Sequence, residues 1–246
     1  MKRFVLASLI ALTVSQAAGC IIESGDDTGD DGGDFALVSA TWSLRSEATN
    51  SAASCPPTFD TAALYNQPVD SAGNNVGPVV VDLFNCSDGA GTSAPLEPGL
   101  YLTWVEIANH DNTDVYAKSL SAFVDVTTAD KTFNTQILVD GGYFQVQWGL
   151  VDSATSAPLT CAEAGADGVE SIGSLVSNPS DANSDIFDCE DGFGITAGYV
   201  EGTYTVSVHA LDAANLQLGD SVVLDNEVIT APNEVTDLGT VMVPID

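Results

Sequence analysis

CEDGFGITAGYVEGTYTV (residues 189–206) and CSDGAGTSAPLEPGLYLT (residues 86–103) are two versions of one phrase. Each opens on a cysteine, has a glycine three residues on (Gly192, Gly89), and reaches a Gly-x-Tyr thirteen residues on (Gly202, Gly99). The likeness spreads outward from there. Trp42 precedes Cys55 by thirteen residues, and Trp148 precedes Cys161 by thirteen. The two cysteines of a copy lie 31 residues apart in the first half and 28 in the second, so the length difference falls between them. Each copy closes on a β-rich phrase, TQILV at 135–139 and GTVMV at 239–243. Four anchors at matched spacing mark a tandem duplication. Its modules run over 35–140 and 142–246 and meet near Asp140-Gly141-Gly142.

Apolar residues alternate with polar ones inside each copy. Val38, Ala40, Trp42 and Leu44 alternate with Ser39, Thr41 and Ser43; Phe144, Val146, Trp148 and Leu150 do the same, as do Tyr204, Val206, Val208 and Ala210. A period of two puts one face of a strand on a core and the other in water. VVVDLF, SAFVDV, KTFNTQILV and GDSVVL belong to the same class, and clusters of Gly, Asn, Asp and Pro punctuate them. The one helical expectation is a short turn at Ala162–Ala166. The predicted fold is all-β, two tandem antiparallel β-sandwich modules. In each, the Asp-Gly after the cysteine suits a tight turn, the later glycine starts a core strand, and Tyr101 or Tyr204 packs inward with its hydroxyl on a polar partner.

The first twenty residues have a different character. Lys2 and Arg3 precede the apolar run FVLASLIALTV and a small-residue exit, the layout of an export signal. The run is shorter than the roughly 20 apolar residues a membrane span needs. The exit, Ala17-Ala18-Gly19-Cys20, resembles the lipobox of bacterial lipoproteins, with Ala17 where that family usually has Leu. The resemblance implies a signal peptide over 1–19, cleavage before Cys20, and acylation of Cys20. Residues 20–34, with the Gly/Asp run ESGDDTGDDGGD, then form an acidic tether. Ile21 after the cysteine, where Asp would retain the protein in the inner membrane, fits the outer membrane of the cell envelope.

Four cysteines remain, an even number in an exported chain, and three pairings are open to them. The repeat selects Cys55–Cys86 and Cys161–Cys189, because each copy has to fold by itself. A metal site would want closely spaced thiolates or a Cys–His cluster, and the sequence has neither.

Charge narrows the partners. Arg45, Lys118 and Lys131 are the only basic residues after the signal, against 35 acidic ones. Such a chain repels nucleic acid and anionic headgroups, so nucleic-acid binding is excluded. Calcium is the one cofactor the acids suggest, since hard cations take carboxylate and carbonyl oxygens. The candidate ligands are Asp88, Asp111, Asp114, Asp188 and Asp191, none of them in EF-hand spacing.

The arrangement of strand, cysteine turn, "DG" and "(E/P)G-x-Y" followed by alternating strand is similar to carboxypeptidase regulatory-like and transthyretin-like sandwiches. The likeness runs through GLVDSATSAPLTCAEAG, FDCEDGFG and VEGTYTVSVHALD in the second copy, and through FNCSDGAG and LEPGLYLTW in the first. The cysteine pair in each copy departs from that pattern. Modules of this kind serve as stalks, spacers or binding units, which implies a non-catalytic role.

No catalytic constellation argues otherwise. There is no G-x-S-x-G elbow for a serine nucleophile. The two histidines are not equivalent: His110 lies in the loop-like NHDNTD, and His209 on the polar face of its strand. Paired carboxylates leave one alternative, an envelope carbohydrate-active enzyme or accessory subunit. The expectation is otherwise a lipid-anchored, surface-displayed envelope protein with a structural or adhesive role, engaging an envelope protein or polysaccharide. Trp104, on the parity opposite Tyr101, Thr103 and Val105, is the candidate contact.

Overall fold

Each module lays its first and last strands side by side in parallel, and every other pairing is antiparallel. The computed structural model describes residues 35–246, so the export signal, Cys20 and the tether lie outside the described residues. In the first half the strands are β1 (Val38–Ser46), β2 (Ser51–Ala53), β3 (Thr61–Val69), β4 (Val80–Asn85), β5 (Ala90–Thr92), β6 (Leu100–Ala108), β7 (Val115–Lys118), β8 (Ala122–Asp125) and β9 (Lys131–Leu138). The second half has β10 (Gly141–Asp152), β11 (Pro158–Leu159), β12 (Gly168–Leu175), β13 (Asn178–Asp188), β14 (Phe193–Ile195), β15 (Tyr199–Val200), β16 (Gly202–Leu211), β17 (Gln217–Ile229) and β18 (Val235–Ile245).

The two halves have one topology. β1 carries β2 and β5 on one edge and β9 on the other; β10 carries β11, β14 and β15 on one edge and β18 on the other. The facing sheets run β4-β3-β6 with β7 and β8 in the first half, and β13-β12-β16-β17 in the second. Alternation produces this directly. Val38, Ala40, Trp42 and Leu44 are buried with Leu64, Tyr101, Val105 and Ile107 from the facing sheet. Phe144, Val146, Trp148 and Leu150 meet Val169, Tyr204, Val206 and Val208 in a second, separate core. The single described α-helix, Cys161–Ala164, is one turn held by a Thr160/Glu163 capping box. Among the described residues no helix is long and apolar enough to cross a membrane.

The repeated phrase is a structural device. Disulfides Cys55–Cys86 and Cys161–Cys189 have Cα separations of 6.1 and 6.0 Å. Each second cysteine opens a single 3-10 turn, Cys86–Asp88 or Cys189–Asp191, ended by a glycine in the left-handed region, Gly89 (φ 64°) and Gly192 (φ 68°). The core tryptophan donates its indole N–H to the carbonyl of that cysteine, Trp42 to Cys86 at 2.8 Å and Trp148 to Cys189 at 3.0 Å. Its ring packs against the aromatic two residues before the cysteine, Phe84 or Phe187. A second glycine makes room for that aromatic: a Cβ on Gly91 would stand 2.6 Å from the Phe84 ring, and one on Gly194 2.4 Å from Phe187. The Asp88 carboxylate accepts from the Asn85 side chain.

Tyr101 and Tyr204 are both buried, and each hydroxyl donates to the carbonyl four residues back, Glu97 at 2.9 Å and Val200 at 2.7 Å. The motif ties the strand to the loop that enters it, as a tyrosine corner does in Greek-key sandwiches.

Candidate functional site

The outer face of sheet β4-β3-β6-β7 carries an aromatic and apolar cluster on an otherwise acidic chain. Strand parity places it there. Tyr101, Thr103, Val105 and Ile107 of β6 turn into the core, which sends Leu102, Trp104 and Glu106 outward. Tyr65 stands directly across from Trp104, and Val81 directly across from Tyr65. Phe123 on β8 is opposite Leu102, and Lys118 at the end of β7 is opposite Glu106.

The Tyr65 and Trp104 rings stack at 4.9 Å and 4°. Such a cross-strand pair contributes about 0.5–1.5 kcal/mol beyond its burial. Lys118 Nζ lies 4.2 Å from the Trp104 ring centroid on a cation–π contact. The indole Nε1–H donates to Glu106 Oε1 at 2.9 Å. The Tyr65 hydroxyl accepts from Asn112 Nδ2 at 3.0 Å, which ties the β6–β7 loop to the face. Burial pushes the Tyr65 phenol above its ordinary value, so it stays a neutral donor across physiological pH. Around this half-buried centre Leu83 and Phe123 are 55% and 61% exposed. The centre is thus pre-organised from both sides and rimmed by open apolar side chains. Chemically it offers area, one cation and one carboxylate.

Sequence parity sets Trp104 opposite Tyr101, so that one of the two faces out, and the structure turns Tyr101 inward. Parity gives no sign of Tyr65, because a cross-strand partner depends on register that alternation alone does not number.

The proposed calcium ligands are scattered. Asp88 is engaged by Asn85, and Asp188 caps Glu190 N–H at 3.0 Å. Asp111 and Asp114 lie in the β6–β7 loop, where the Asn109 side chain accepts from the backbone N–H of Thr113 and Asp114. Asp191 sits in the 3-10 turn that Cys189 opens. Among the described residues no three His, Cys, Asp or Glu side chains come together as a set that could hold a metal ion.

His209 departs from its expected place. It has the outward parity of β16, yet it is 5% exposed, with Nε2 2.9 Å from Glu170 Oε2. Glu170 also accepts from Ser184 on β13. The neighbouring strand is irregular here: Val208 pairs with Val222 and Ala210 with Leu218, so three residues of β17, 219–221, stand opposite His209 alone, two more than a regular ladder has. Carboxylate stands between serine and histidine in this trio, so it is no Ser–His–Asp relay. His110 is exposed in its loop, as expected, 3.9 Å from Asp60.

No family model and no curated protein matches the sequence. Solved structures match distantly. A leucine-rich repeat protein of Bacteroides thetaiotaomicron is 12% identical, with 86% of this chain and 26% of that one covered and a TM-score of 0.34. A minor pilin of Streptococcus agalactiae is 14% identical over 86% of this chain and 100% of its own, TM-score 0.30. A fimbrial anchor protein of Porphyromonas gingivalis is 11% identical over 78% and 82%, TM-score 0.27. The chain spans about a quarter of the leucine-rich repeat protein's length. Likenesses at these scores carry no functional information.

Proposed function

We propose that this chain is a lipid-anchored protein of the bacterial cell envelope, probing its surroundings with a rigid pair of sandwiches and performing no catalysis. In this reading residues 1–19 are removed on export, Cys20 is acylated, and residues 20–34 tether modules 35–140 and 142–246 to the outer membrane. Two or more acyl chains suffice to hold a soluble domain, at about 0.8 kcal/mol per buried CH₂. The role is adhesive or structural, and the Trp104 face is the contact. The observation that carries this is the Tyr65–Trp104–Lys118 stack ringed by exposed Leu83 and Phe123. A pre-packed aromatic centre with an apolar surround is the anatomy of a protein-binding hot spot. The open apolar side chains of Leu83 and Phe123 favour an envelope protein over a polysaccharide. Charge excludes polyanions from the same face.

The test is made in cells. Mass spectrometry of the mature N-terminus should show acylated Cys20, and an unmodified chain starting elsewhere would remove the anchor. A photocrosslinker at Phe123 should trap a discrete protein adduct. Trp104→Ala should weaken that interaction ~30-fold, the ~2 kcal/mol of a tryptophan hot spot. Adducts unchanged by Trp104→Ala, or adducts with polysaccharide alone, would refute the protein-binding face. Release of reducing ends from envelope polysaccharide would refute the non-catalytic reading.

A further inference from the structure

The duplication gives both modules the same two ends, and inside the chain one end of the first is already docked on the opposite end of the second. The tip of the β1–β2 hairpin, Glu47 and Ala48, shares a hollow of about 270 Å³ with Leu175, Asn183, Val200 and Tyr204 of the second module. The approach is close. A Cβ on Gly198 would lie 2.9 Å from Glu47 Oε2 and 2.7 Å from Leu138 Cδ1.

Strand register identifies the counterpart of that hollow at the far end of the first module. Leu175 pairs with Tyr204 as Pro68 pairs with Tyr101. Gly173 links Val206 to Asn183 as Asn66 links Thr103 to Val80. Val200 and Glu97 are the residues whose carbonyls hold the two tyrosine hydroxyls. Position for position, Leu175, Asn183, Val200 and Tyr204 are therefore Pro68, Val80, Glu97 and Tyr101. Those four line a second hollow, of about 540 Å³, with Leu96 and an extra wall at Val76–Pro78. That wall is the loop of the module's own β3–β4 hairpin, and among the described residues no hairpin tip of the other module reaches the hollow.

The matching tip exists at the other end of the chain. Counting from the paired tryptophans, Glu47-Ala48-Thr49-Asn50 corresponds to Ser153-Ala154-Thr155-Ser156. Both tips end on a residue in the left-handed region, Asn50 at φ 50° and Ser156 at φ 58°. In both, a side-chain oxygen at the preceding position bonds the threonine, Ser46 to Thr49 and Asp152 to Thr155. The acids are also exchanged. The internal joint puts Glu47 beside Val200; the open hollow has Glu97 where Val200 stands, and the free tip has Ser153 where Glu47 stands. Each joint then holds one of these carboxylates and no pair of them.

We infer that the protein associates head to tail, the 153–156 turn of one copy seating in the Pro68–Val80–Glu97–Tyr101 hollow of the next. The contact repeats the tip-in-hollow part of the internal joint between different patches, so it is heterologous and propagates into a chain of modules. Copies this acidic repel one another, so added salt should strengthen association by screening.

Two substitutions at exposed positions separate the partners without touching a core: Val76→Asp, at a residue 62% exposed in the hollow's wall, and Ala154→Tyr at the tip. The exported chain carrying Cys20→Ser, unacylated, is followed by sedimentation across concentration and salt. The unblocked chain should form species that lengthen with concentration and with salt. Each blocked variant alone should stay monomeric, and mixing the two should restore a 1:1 dimer that grows no further. Monomer throughout, at every concentration and salt, overturns the proposal. Association of either blocked variant by itself, or no dimer on mixing, overturns it equally.

Discussion

The side-chain amide of Asn233 donates to the backbone carbonyl of Lys118, 2.7 Å away and 115 residues earlier in the chain. The same side chain accepts from the N–H of Leu138 at 2.7 Å, and its own N–H donates to Gly141 O at 2.6 Å. Asn233 is 4% exposed and has a φ of 57°, a conformation Asn adopts more readily than most residues. One residue of the β17–β18 loop thus holds the end of the first module against the start of the second. Gly141 and Gly142 let the backbones close: a Cβ on either would lie 2.2 Å from Tyr199 O or 2.4 Å from Glu234 O.

Asn233→Ala leaves the Leu138 N–H and the Lys118 carbonyl unmatched, and each buried orphan costs about 1–3 kcal/mol. The expected result is loss of coupling between the modules. Calorimetry should show one transition for the parent and two resolved transitions for the variant, with both disulfides intact.

Gly91→Ala and Gly194→Ala should injure their modules in the same way. Each new methyl collides with a core phenyl ring, Phe84 or Phe187, that is itself packed on a tryptophan. Overpacking of this kind costs about 1–3 kcal/mol. A paired Phe84→Leu should recover much of the loss in Gly91→Ala, read as the denaturant midpoint. No loss in the single glycine variants would mean that the phrase is not built around the ring.

Much of this was legible from the residues alone, and the reason is locality. Strand parity at Trp42, Trp148 and Tyr204 needs only near neighbours, and the cysteine pairing followed from the repeat once each copy had to close on itself. The rest depends on which distant strands meet. Nothing in TQILV or GTVMV announces that β9 and β18 run parallel to the strands that open their modules. Tyr65 becomes the partner of Trp104 through the β3–β6 register, and His209 is buried where β17 carries surplus residues. Asn233 looks like one more loop polar residue until both modules are in place.

Each disulfide should matter to its own module. Closing a loop of about 30 residues contributes roughly 3–4 kcal/mol in the chain-entropy model. Replacing Cys55 and Cys86 by Ser should lower the first module's unfolding transition in an Asn233→Ala background, where the transitions are separate, and leave the second in place. Equal loss in both would show that the modules fold as one unit.

Calcium should act on this protein as any salt does. Asp88 and Asp188 already engage neighbouring groups, and no set of three ligands is assembled among the described residues. Thermal unfolding with calcium and with magnesium at equal ionic strength should give equal, non-saturating rises from screening. A saturable rise with calcium alone, about 2.7 kcal/mol at 100 times the dissociation constant, would show a built site.

Acid should first help this fold and then undo it. Burial raises the Asp185 carboxyl, so its ionised form opposes folding; stability is gained as pH falls through its folded value. Bonds within their turns lower Asp70, Asp125, Asp152, Glu163 and Glu234, chiefly from Asn74, Thr127, Thr155, Thr160 and Thr230. Their contribution is complete above the unfolded carboxylate value of about 4 and is lost as pH falls through their lowered folded values. Relief of self-repulsion adds to the first limb. The melting temperature should therefore pass through a maximum at mildly acidic pH and fall below about pH 4. Asp152→Asn and Glu234→Gln together should flatten the acid limb, because their amide oxygens still accept from the turn but no longer titrate. A melting temperature that climbs steadily down to pH 2 would mean that repulsion outweighs every turn.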